Sequence, residues 1–188
     1  MSYFPMFISL ENKKVLLVGG GAVALHKLKK LLYFTQDIHV ISLDFSQEMK
    51  ALLVEKDISF ENRGYNRGDI KDVLIVVVAV DDLSLQKDIY EESHEYKCLC
   101  NSVDSLDYCD FIFPSFVKED DLTIAISTSG SSPAFAKYFK EYLAKVIPDG
   151  VGVFLEEMKE LRKTVPKGIE RMKMLDEKAK KYIQNWSN

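Results

Sequence analysis

The sequence lacks an excess of positive charge, an apolar run of membrane length and a recognisable leader. Its 25 Lys and Arg residues against 29 Asp and Glu give a formal net charge of −4. This balance argues against a nucleic-acid-binding protein, because binding to the phosphate backbone needs a cationic surface. No apolar segment is long enough to cross a bilayer, and the stretch Met1–Pro5 does not resemble a signal peptide. We therefore expect a cytoplasmic protein with no membrane or nucleic-acid partner.

Cysteine is also scarce, with three residues in the chain, an odd number that does not suit a disulfide framework. Cys98 and Cys100 fall in a stretch that is predicted to be a buried strand, where reduced core thiols are expected. The histidines show no spacing typical of metal ligands; they are His26, His39 and His94. We predict no metal site.

The most informative stretch is an apolar run, Val15–Val18, that ends in three glycines and continues into a helical pattern. It matches Gly-x-Gly-x-x-Gly/Ala with Gly19, Gly21 and Ala24 at the three small-residue positions. In such a motif the first glycine allows a tight turn, the second lets the backbone approach a pyrophosphate, and the third small residue lets the helix pack on the sheet. We interpret the stretch as a dinucleotide site; the alternative is a glycine-rich turn that only packs.

A second strand is predicted over residues 38–42, followed by Leu43 and Asp44. In dinucleotide folds an acidic residue near the end of this strand can bind the adenosine ribose, which favours NAD over its 2′-phosphorylated form. Leu43 would then lie near the adenine. The alternative for Asp44 is a helix N-cap or a turn aspartate.

Strands and helices alternate through the first half of the chain, as a doubly wound sheet requires. The continuous apolar run over residues 73–79 is typical of a strand that is covered on both faces, as in parallel sheets. We predict an α/β fold: a Rossmann-like, doubly wound parallel sheet in residues 1–110, a small α+β dimerisation and substrate-loop segment in 111–147, and a helical C-terminal domain in 148–188.

The middle segment is predicted to hold two strands, over residues 111–117 and 122–127, and a helix over 134–145. Two strands and one helix bury little apolar surface, so the aromatic residues of this segment need a partner, which we expect to be the same segment of a second chain. These residues are Phe111, Phe113, Phe116, Phe135, Tyr138 and Phe139.

Taken together, these motifs resemble one family, precorrin-2 dehydrogenase/sirohydrochlorin ferrochelatase, which occurs alone or as the N-terminal part of siroheme synthase. The resemblance covers about residues 1–148 in colinear order and includes the stretches Phe4–Phe7, Val18–Ala24, Asn101–Asp104, Phe111–Ser115 and Leu122–Ala136. The tail after Gly150 resembles the family only in being helical.

The resemblance implies NAD-dependent oxidation of precorrin-2 to sirohydrochlorin, sometimes followed by insertion of ferrous iron, a lyase activity, and an expected homodimer. The essential aspartate of the family falls on Asp104. Contacts to NAD fall on Ala22, Val23, Leu43 and Asp44, beside the glycines of the turn. The hydroxyl-rich loop is expected to bind the substrate's carboxylates; its residues are Ser127, Thr128, Ser129, Gly130, Ser131 and Ser132.

Two residues depart from the family pattern, Ser102 within Asn-Ser-Val-Asp and Ser129 in place of a second glycine. The alternative for Asp104 is a structural role as a turn or capping aspartate. The alternative for the hydroxyl loop is ordinary N-capping of the helix that follows. Lys137, Arg63 and Arg67 rank below the loop as carboxylate ligands.

Two other function classes compete with the dehydrogenase. An NAD-binding sensor module without catalysis would need neither Asp104 nor the hydroxyl loop. A short-chain dehydrogenase would need a Tyr-x-x-x-Lys helix, whereas Tyr138 is followed four residues later by Tyr142, and Tyr142 by Val146. The dehydrogenase interpretation accounts for more of the motifs.

Overall fold

The computed structural model describes residues 3–187 and divides them into two compact units. The first unit comprises Phe4–Ile112, and the second comprises the residues from Phe113 onward together with Tyr3. The finer functional division into 1–110, 111–147 and 148–188 stays a prediction.

The first unit is a parallel five-stranded sheet with three helices. Its strands are β1 (Lys14–Val18), β2 (Ile38–Ser42), β3 (Ser59–Asn62), β4 (Val73–Val78) and β5 (Leu99–Ser102). Its helices are α1 (Ala22–Leu31), α2 (Gln47–Glu55) and α3 (Leu83–Tyr96). The strand order is β3-β2-β1-β4-β5, with all neighbours parallel. The predicted Rossmann-like sheet is confirmed, and its order reverses between β1 and β4, where ligands of such sheets bind.

Local sequence sets the ends of these helices. The Ser46 hydroxyl accepts a hydrogen bond from the Met49 amide and starts α2, and the Asp82 carboxylate accepts from the Ser84 and Leu85 amides at the start of α3. Each side chain satisfies amides that have no partner within the helix. Helix α1 ends at Leu31.

The second unit begins with an antiparallel hairpin and continues as three helices. Its strands are β6 (Ser115–Glu119) and β7 (Leu122–Ile126), and its helices are α4 (Pro133–Val146), α5 (Val151–Thr164) and α6 (Ile169–Gln184). A small core forms around Val117, Ile147 and Val151. The first strand starts at Ser115 and not at the predicted Phe111, because Pro114 has no N–H to donate to a ladder.

Within this unit α5 lies close to the turn that joins the two strands. A Cβ added at Gly152 would stand 1.8 Å from a carboxylate oxygen of Asp120, so any larger residue there would displace the Asp120 side chain. Among residues 3–187, no helix is both long and apolar enough to cross a membrane.

Candidate functional site

The turn after β1 is held by the neighbouring strands. The Gly19 amide donates to the Ile41 carbonyl at 2.8 Å, and the Ala79 amide donates to the Val18 carbonyl at 2.7 Å. Gly19 has φ +127°, and a Cβ there would stand 2.3 Å from the Ala79 carbonyl oxygen. Only glycine satisfies both the backbone angle and this close approach. The structure gives Gly19 the turn-forming role that the motif predicts.

Gly20 is a requirement of the fold that sequence reasoning missed. A Cβ at this position would stand 2.1 Å from the Asp44 carbonyl oxygen. The Gly20 carbonyl also accepts from the Ser46 amide at 3.0 Å, so the turn packs directly against the segment between β2 and α2. The signal in the sequence was the uninterrupted run of three glycines, of which the motif explains only two.

Gly21 is different, because it faces open space. It is the N-cap of α1 with no side-chain cap, and a Cβ built there meets nothing within 4 Å. Ala22 and Val23 are exposed beside it, whereas Ala24 is fully buried against the sheet. The first amides of α1 and its positive dipole end therefore border a space that an anion such as a pyrophosphate can enter. The residues present fit a dinucleotide.

The predicted adenosine side lies at the end of β2. Leu43 is 70% exposed, Asp44 is exposed, and the Asn62 side-chain amide donates to the Leu43 carbonyl. Ser46, not Asp44, caps α2, so the capping alternative for Asp44 is wrong. The Asp44 carboxylate is thus exposed next to the glycine turn. The Asp44 backbone carbonyl accepts a hydrogen bond from the Ser42 hydroxyl at 2.7 Å.

The loop after β3 carries two arginines that are both paired. Arg63 binds Asp69 through two parallel N–H···O bonds of 2.7 and 3.0 Å and binds Glu61 at 2.7 Å. Arg67 pairs with Glu95 of α3 at 2.5 Å. Both guanidinium groups are therefore held in ion pairs within the first unit.

Asp104 follows β5 on the same edge of the sheet as the glycine turn. The Val103 amide donates to the Val78 carbonyl at 2.9 Å, which extends the ladder by one residue beyond β5. Asp104, the next residue, is exposed, and its backbone has the left-handed conformation, with φ +62°. The Ser105 position, not Asp104, precedes the short 3-10 turn Leu106–Tyr108. Asp104 is thus a turn residue, and its exposed carboxylate can also contact a ligand.

Lys27 on α1 is a second charged residue near this edge, and its side chain is half-buried. Burial and the charge of Lys30 lower the pKa of Lys27, and attraction from Cys109 and Asp104 opposes this shift. The ammonium of Lys27 is therefore coupled electrostatically to the Asp104 loop.

The segment that carries Asp104 is closed by a set of hydrogen bonds at its base. The Asp110 amide donates to the Cys100 carbonyl, and its carboxylate accepts from the Cys100 amide, both at 2.8 Å. The buried Asn101 side-chain amide donates to the Phe111 carbonyl at 2.8 Å. The motif Asn-Ser-Val-Asp contained this signal, since Asn101 fixes the loop in which Asp104 lies.

The hydroxyl-rich loop precedes α4 in the second unit. The Ser127 hydroxyl accepts from the Ser129 amide and the Thr128 hydroxyl from the Ser132 amide, both at 3.1 Å. The Ser132 hydroxyl caps α4 by accepting from the Phe135 amide at 3.1 Å. N-capping is therefore present, and Pro133 occupies the first turn of α4.

Two neighbouring residues of this loop have a left-handed backbone conformation. Ser129 has φ +51° and Gly130 has φ +85°. Ser129 stands where the resembling family often has glycine, and its backbone angle gives the physical reason for that preference. Ser129, Gly130 and Ser131 are all exposed, so their polar groups can reach a ligand.

The rings of two histidines contact polar side chains of the first unit. His39 lies between Ser59 and Glu61, at 2.9 and 3.0 Å, and His94 contacts Asp110 at 3.2 Å. Within the described part of the chain, no group of three or more His, Cys, Asp or Glu side chains is placed to hold a metal ion.

Comparison with known proteins gives matches to both units. Residues 6–115 match the family described as "Putative NAD(P)-binding", and residues 119–145 match the family described as "Sirohaem biosynthesis protein central". A siroheme synthase of Neisseria meningitidis serogroup C (strain 053442) is 33% identical over 156 residues, which is 83% of this chain and 32% of that protein. A siroheme synthase of Pseudoalteromonas translucida (strain TAC 125) is 34% identical over 152 residues, with 81% and 32% covered.

Among solved structures, one described as "SirC, precorrin-2 dehydrogenase" matches with a TM-score of 0.80 at 21% identity and covers 98% of this chain and 99% of that chain. This likeness shows the fold. The chain spans about a third of the length of the curated relatives that it matches. The family resemblance seen in the motifs is confirmed, and the expected NAD cofactor agrees with it. Since residues 6–115 are more than half of its 188 residues, the chain belongs to the NAD(P)-binding family.

Proposed function

We propose that this chain oxidises precorrin-2 to sirohydrochlorin with NAD⁺. The observation that carries the proposal is the placement of the open Gly21 turn and the exposed Asp104 at one edge of a single parallel sheet, next to the point where strand order reverses. The identity to siroheme synthases over most of this chain supports it, as does the fold shared with a structure described as a precorrin-2 dehydrogenase.

The residues at the glycine turn would bind and orient the cofactor. We assign the pyrophosphate to Gly19, Gly21 and the first amides of α1, at Ala22 and Val23. On the adenosine side, the Asp44 carboxylate would accept hydrogen bonds from the ribose hydroxyls while Leu43 covers the adenine. When bound, NAD⁺ supplies the hydride acceptor of the reaction.

The reaction removes a hydride and a proton from the tetrapyrrole, and the proton needs a base. We assign this role to Asp104, whose exposed carboxylate takes up the proton from the substrate. Lys27 lies on the cofactor-binding helix, and its ammonium is attracted by the charge of Asp104. The proton then passes to solvent, and the products are sirohydrochlorin, NADH and H⁺.

The substrate carries several carboxylates, so its binding site needs hydrogen-bond donors. We assign this role to Ser127–Ser132, where hydroxyls and amides precede the N-terminus of α4. Three of these hydroxyls already accept hydrogen bonds from backbone amides of the loop and of the first turn of α4, and each retains its O–H as a donor. The loop is thus held in shape by the same side chains that would bind the ligand.

The test is conversion of enzymatically prepared precorrin-2, followed by its visible spectrum with and without NAD⁺. We expect sirohydrochlorin to form only with NAD⁺. If the protein binds NAD⁺ and the spectrum does not change, the chain is the alternative, a nucleotide-binding sensor module without catalysis.

Insertion of ferrous iron into sirohydrochlorin is proposed as a second activity of the same site, with Asp104 as the base for the pyrrole protons. Adding ferrous ion after the dehydrogenation is complete tests it. A siroheme spectrum that appears faster with protein than without it supports the ferrochelatase, and equal rates contradict it.

We also propose a cytoplasmic homodimer. Helix α4 presents an exposed stripe, formed by Phe135, Tyr138, Phe139, Tyr142 and Val146. The positions recur every three to four residues, and the rings of Phe135, Phe139 and Tyr142 stack along the helix. An apolar stripe of this length on a helix surface is typical of a surface that a protein partner covers.

A further inference from the structure

We propose that Glu61 and Asp69 hold Arg63 away from the cofactor's ribose and thereby set a preference for NAD⁺ over NADP⁺. The inference rests on the proposed cofactor site and names residues beyond Asp44 that decide which dinucleotide enters it. Arg63 is the specificity-determining group, and the two carboxylates are its positioning residues.

Every N–H of the Arg63 guanidinium has an acceptor. Nε donates to Glu61 at 2.7 Å, and Nη1 donates to Asp69 at 2.7 Å and to the Gly64 carbonyl at 3.0 Å. Nη2 donates to Asp69 at 3.0 Å and lies 3.4 Å from the second oxygen of Glu61. A guanidinium has five N–H donors, so none is left for a further anion.

The two carboxylates are themselves fixed. Glu61 also contacts the His39 ring at 3.0 Å, and Asp69 accepts from the Asn66 amide at 2.8 Å. The charge of Arg63 is therefore neutralised by two carboxylates that each have a further hydrogen-bond partner. Pairing in a bidentate geometry is the strongest form of this interaction.

Arg63 is next to the predicted adenosine side. Asn62 pairs with Ser42 in the parallel register of β2 and β3, and its side-chain amide donates to the Leu43 carbonyl. On the other side of Arg63, a Cβ at Gly64 would stand 3.7 Å from a methyl group of Leu43. Both chain neighbours of Arg63 thus contact the segment that precedes Asp44.

This placement matters because the two dinucleotides differ only in the ribose 2′-phosphate. An arginine near the end of the second strand accommodates that phosphate in NADP-binding sites, whereas an acidic residue binds the free 2′-hydroxyl. Here the acidic residue, Asp44, is exposed, and the arginine is bound to two carboxylates. The site therefore repels the phosphate and has no donor at Arg63 to offer it.

The experiment measures dissociation constants of NAD⁺ and NADP⁺ by isothermal titration calorimetry. For the unaltered protein we expect NAD⁺ to bind at least about tenfold tighter than NADP⁺. This factor is the approximate worth of the one charge-assisted hydrogen bond that the 2′-phosphate lacks. In Glu61→Gln/Asp69→Asn, Arg63 gains donors, and we expect NADP⁺ to bind at least about fivefold tighter than before. Adding Arg63→Gln to this double variant should remove the gain.

The matched control is Glu91→Gln/Glu95→Gln, which also removes two carboxylates and releases Arg67 and Lys87 from their pairs on α3. It should leave the ratio of the two constants unchanged. A single Glu61→Gln variant keeps the test valid if the double variant does not fold, because it frees the Nε donor of Arg63 and leaves the bidentate pair with Asp69 in place.

An unchanged ratio in a folded Glu61→Gln/Asp69→Asn protein overturns the proposal, as does an unchanged ratio in Glu61→Gln when the double variant does not fold. A gain of the same size in the Glu91→Gln/Glu95→Gln control overturns it too, since general charge would then explain the effect. These results leave NAD⁺ binding intact and refute this inference alone. Failure of the unaltered protein to bind NAD⁺ refutes the proposed function.

Discussion

At the residue scale, the glycines of the turn have separate tasks that a substitution can tell apart. A Cβ at Gly20 would collide with the Asp44 carbonyl, whereas one at Gly21 meets nothing. We expect Gly20→Ala to lower the free energy of unfolding by at least about 2 kcal/mol and Gly21→Ala by less than about 1 kcal/mol. Gly21→Ala should instead weaken NAD⁺ binding, because its methyl group fills the open space.

Urea unfolding and calorimetric titration of the two glycine variants check this pair of expectations. Equal losses of stability would contradict the packing assigned to Gly20. Unchanged NAD⁺ affinity in Gly21→Ala would contradict the assignment of that space to the pyrophosphate.

Two buried thiols make stability depend on alkaline pH. Burial raises the pKa of Cys98 and of Cys100 to about 12 from an ordinary value of 9.0. Between these values the unfolded chain releases the two thiol protons and the folded chain keeps them, so the stabilisation is full below about pH 9 and is lost as pH rises toward about 12. Each thiol should contribute a slope of about 1.4 kcal/mol per pH unit.

The comparison variant for this slope is Cys98→Ala/Cys100→Ala. Its free energy of unfolding should fall less steeply than that of the unaltered protein from about pH 9 to about pH 11, whatever the cost of the core cavities at neutral pH. Parallel curves for the two proteins would show that these thiols do not titrate as described.

At the scale of elements, α3 anchors the loop between β3 and β4 through one buried charge. Glu92 is 2% exposed and accepts from the Tyr65 hydroxyl at 2.8 Å and from the Gly68 amide at 2.6 Å. Burial, followed by the hydrogen bond to Glu92, raises the pKa of Tyr65. The loop that carries Arg63 is therefore fixed at its middle by α3.

Removing the tyrosine hydroxyl tests this anchor. We expect Tyr65→Phe to lower the free energy of unfolding by about 1.5–3 kcal/mol, because the carboxylate of Glu92 loses a donor without regaining water. Tyr96→Phe is the control, since Tyr96 is exposed at the end of α3. Denaturant titration of both variants gives the comparison, and equal stabilities would show that the Glu92 contact contributes nothing.

How far the sequence predicts these elements depends on how local their signals are. The apolar runs of β2 and β4 are local signals that act within a few residues, so the bounds of these two strands were predicted closely. Glu92 could not be predicted as buried, since a carboxylate in a charged helical pattern indicates a solvent-exposed face, and only the distant Tyr65 and Gly68 reverse that preference.

The same argument applies to the candidate site. The spacing of Gly19, Gly21 and Ala24 indicates a phosphate turn because the motif is local. The role of Gly20 depends on a contact with Asp44, and the pairing of Arg63 depends on Asp69; both require the folded positions of separate segments. The predicted roles of Asp104 and of the hydroxyl loop stay predictions.

At the scale of the whole molecule, the exposed stripe of α4 predicts association of two chains. We expect Phe135→Glu/Tyr138→Glu to raise the dissociation constant of the dimer at least about tenfold, because two charges would lose water on association. Ala144→Glu adds a charge to an exposed position of α4 away from the stripe and should leave association unchanged. Sedimentation velocity over a range of concentrations measures both, and a folded double variant that associates like the unaltered protein contradicts the proposed surface.

The central claim is that the first unit binds NAD⁺ and removes a hydride and a proton from precorrin-2 with Asp104 as the base. The most direct measurement is the amount of NADH and of sirohydrochlorin formed in quenched samples by the unaltered protein, Asp104→Asn and Asp107→Asn, an exposed aspartate of the same loop. We predict equimolar products, a rate at least about a hundredfold lower in Asp104→Asn and an unchanged rate in Asp107→Asn. Sirohydrochlorin without matching NADH, or equal rates in the two variants, would contradict the account.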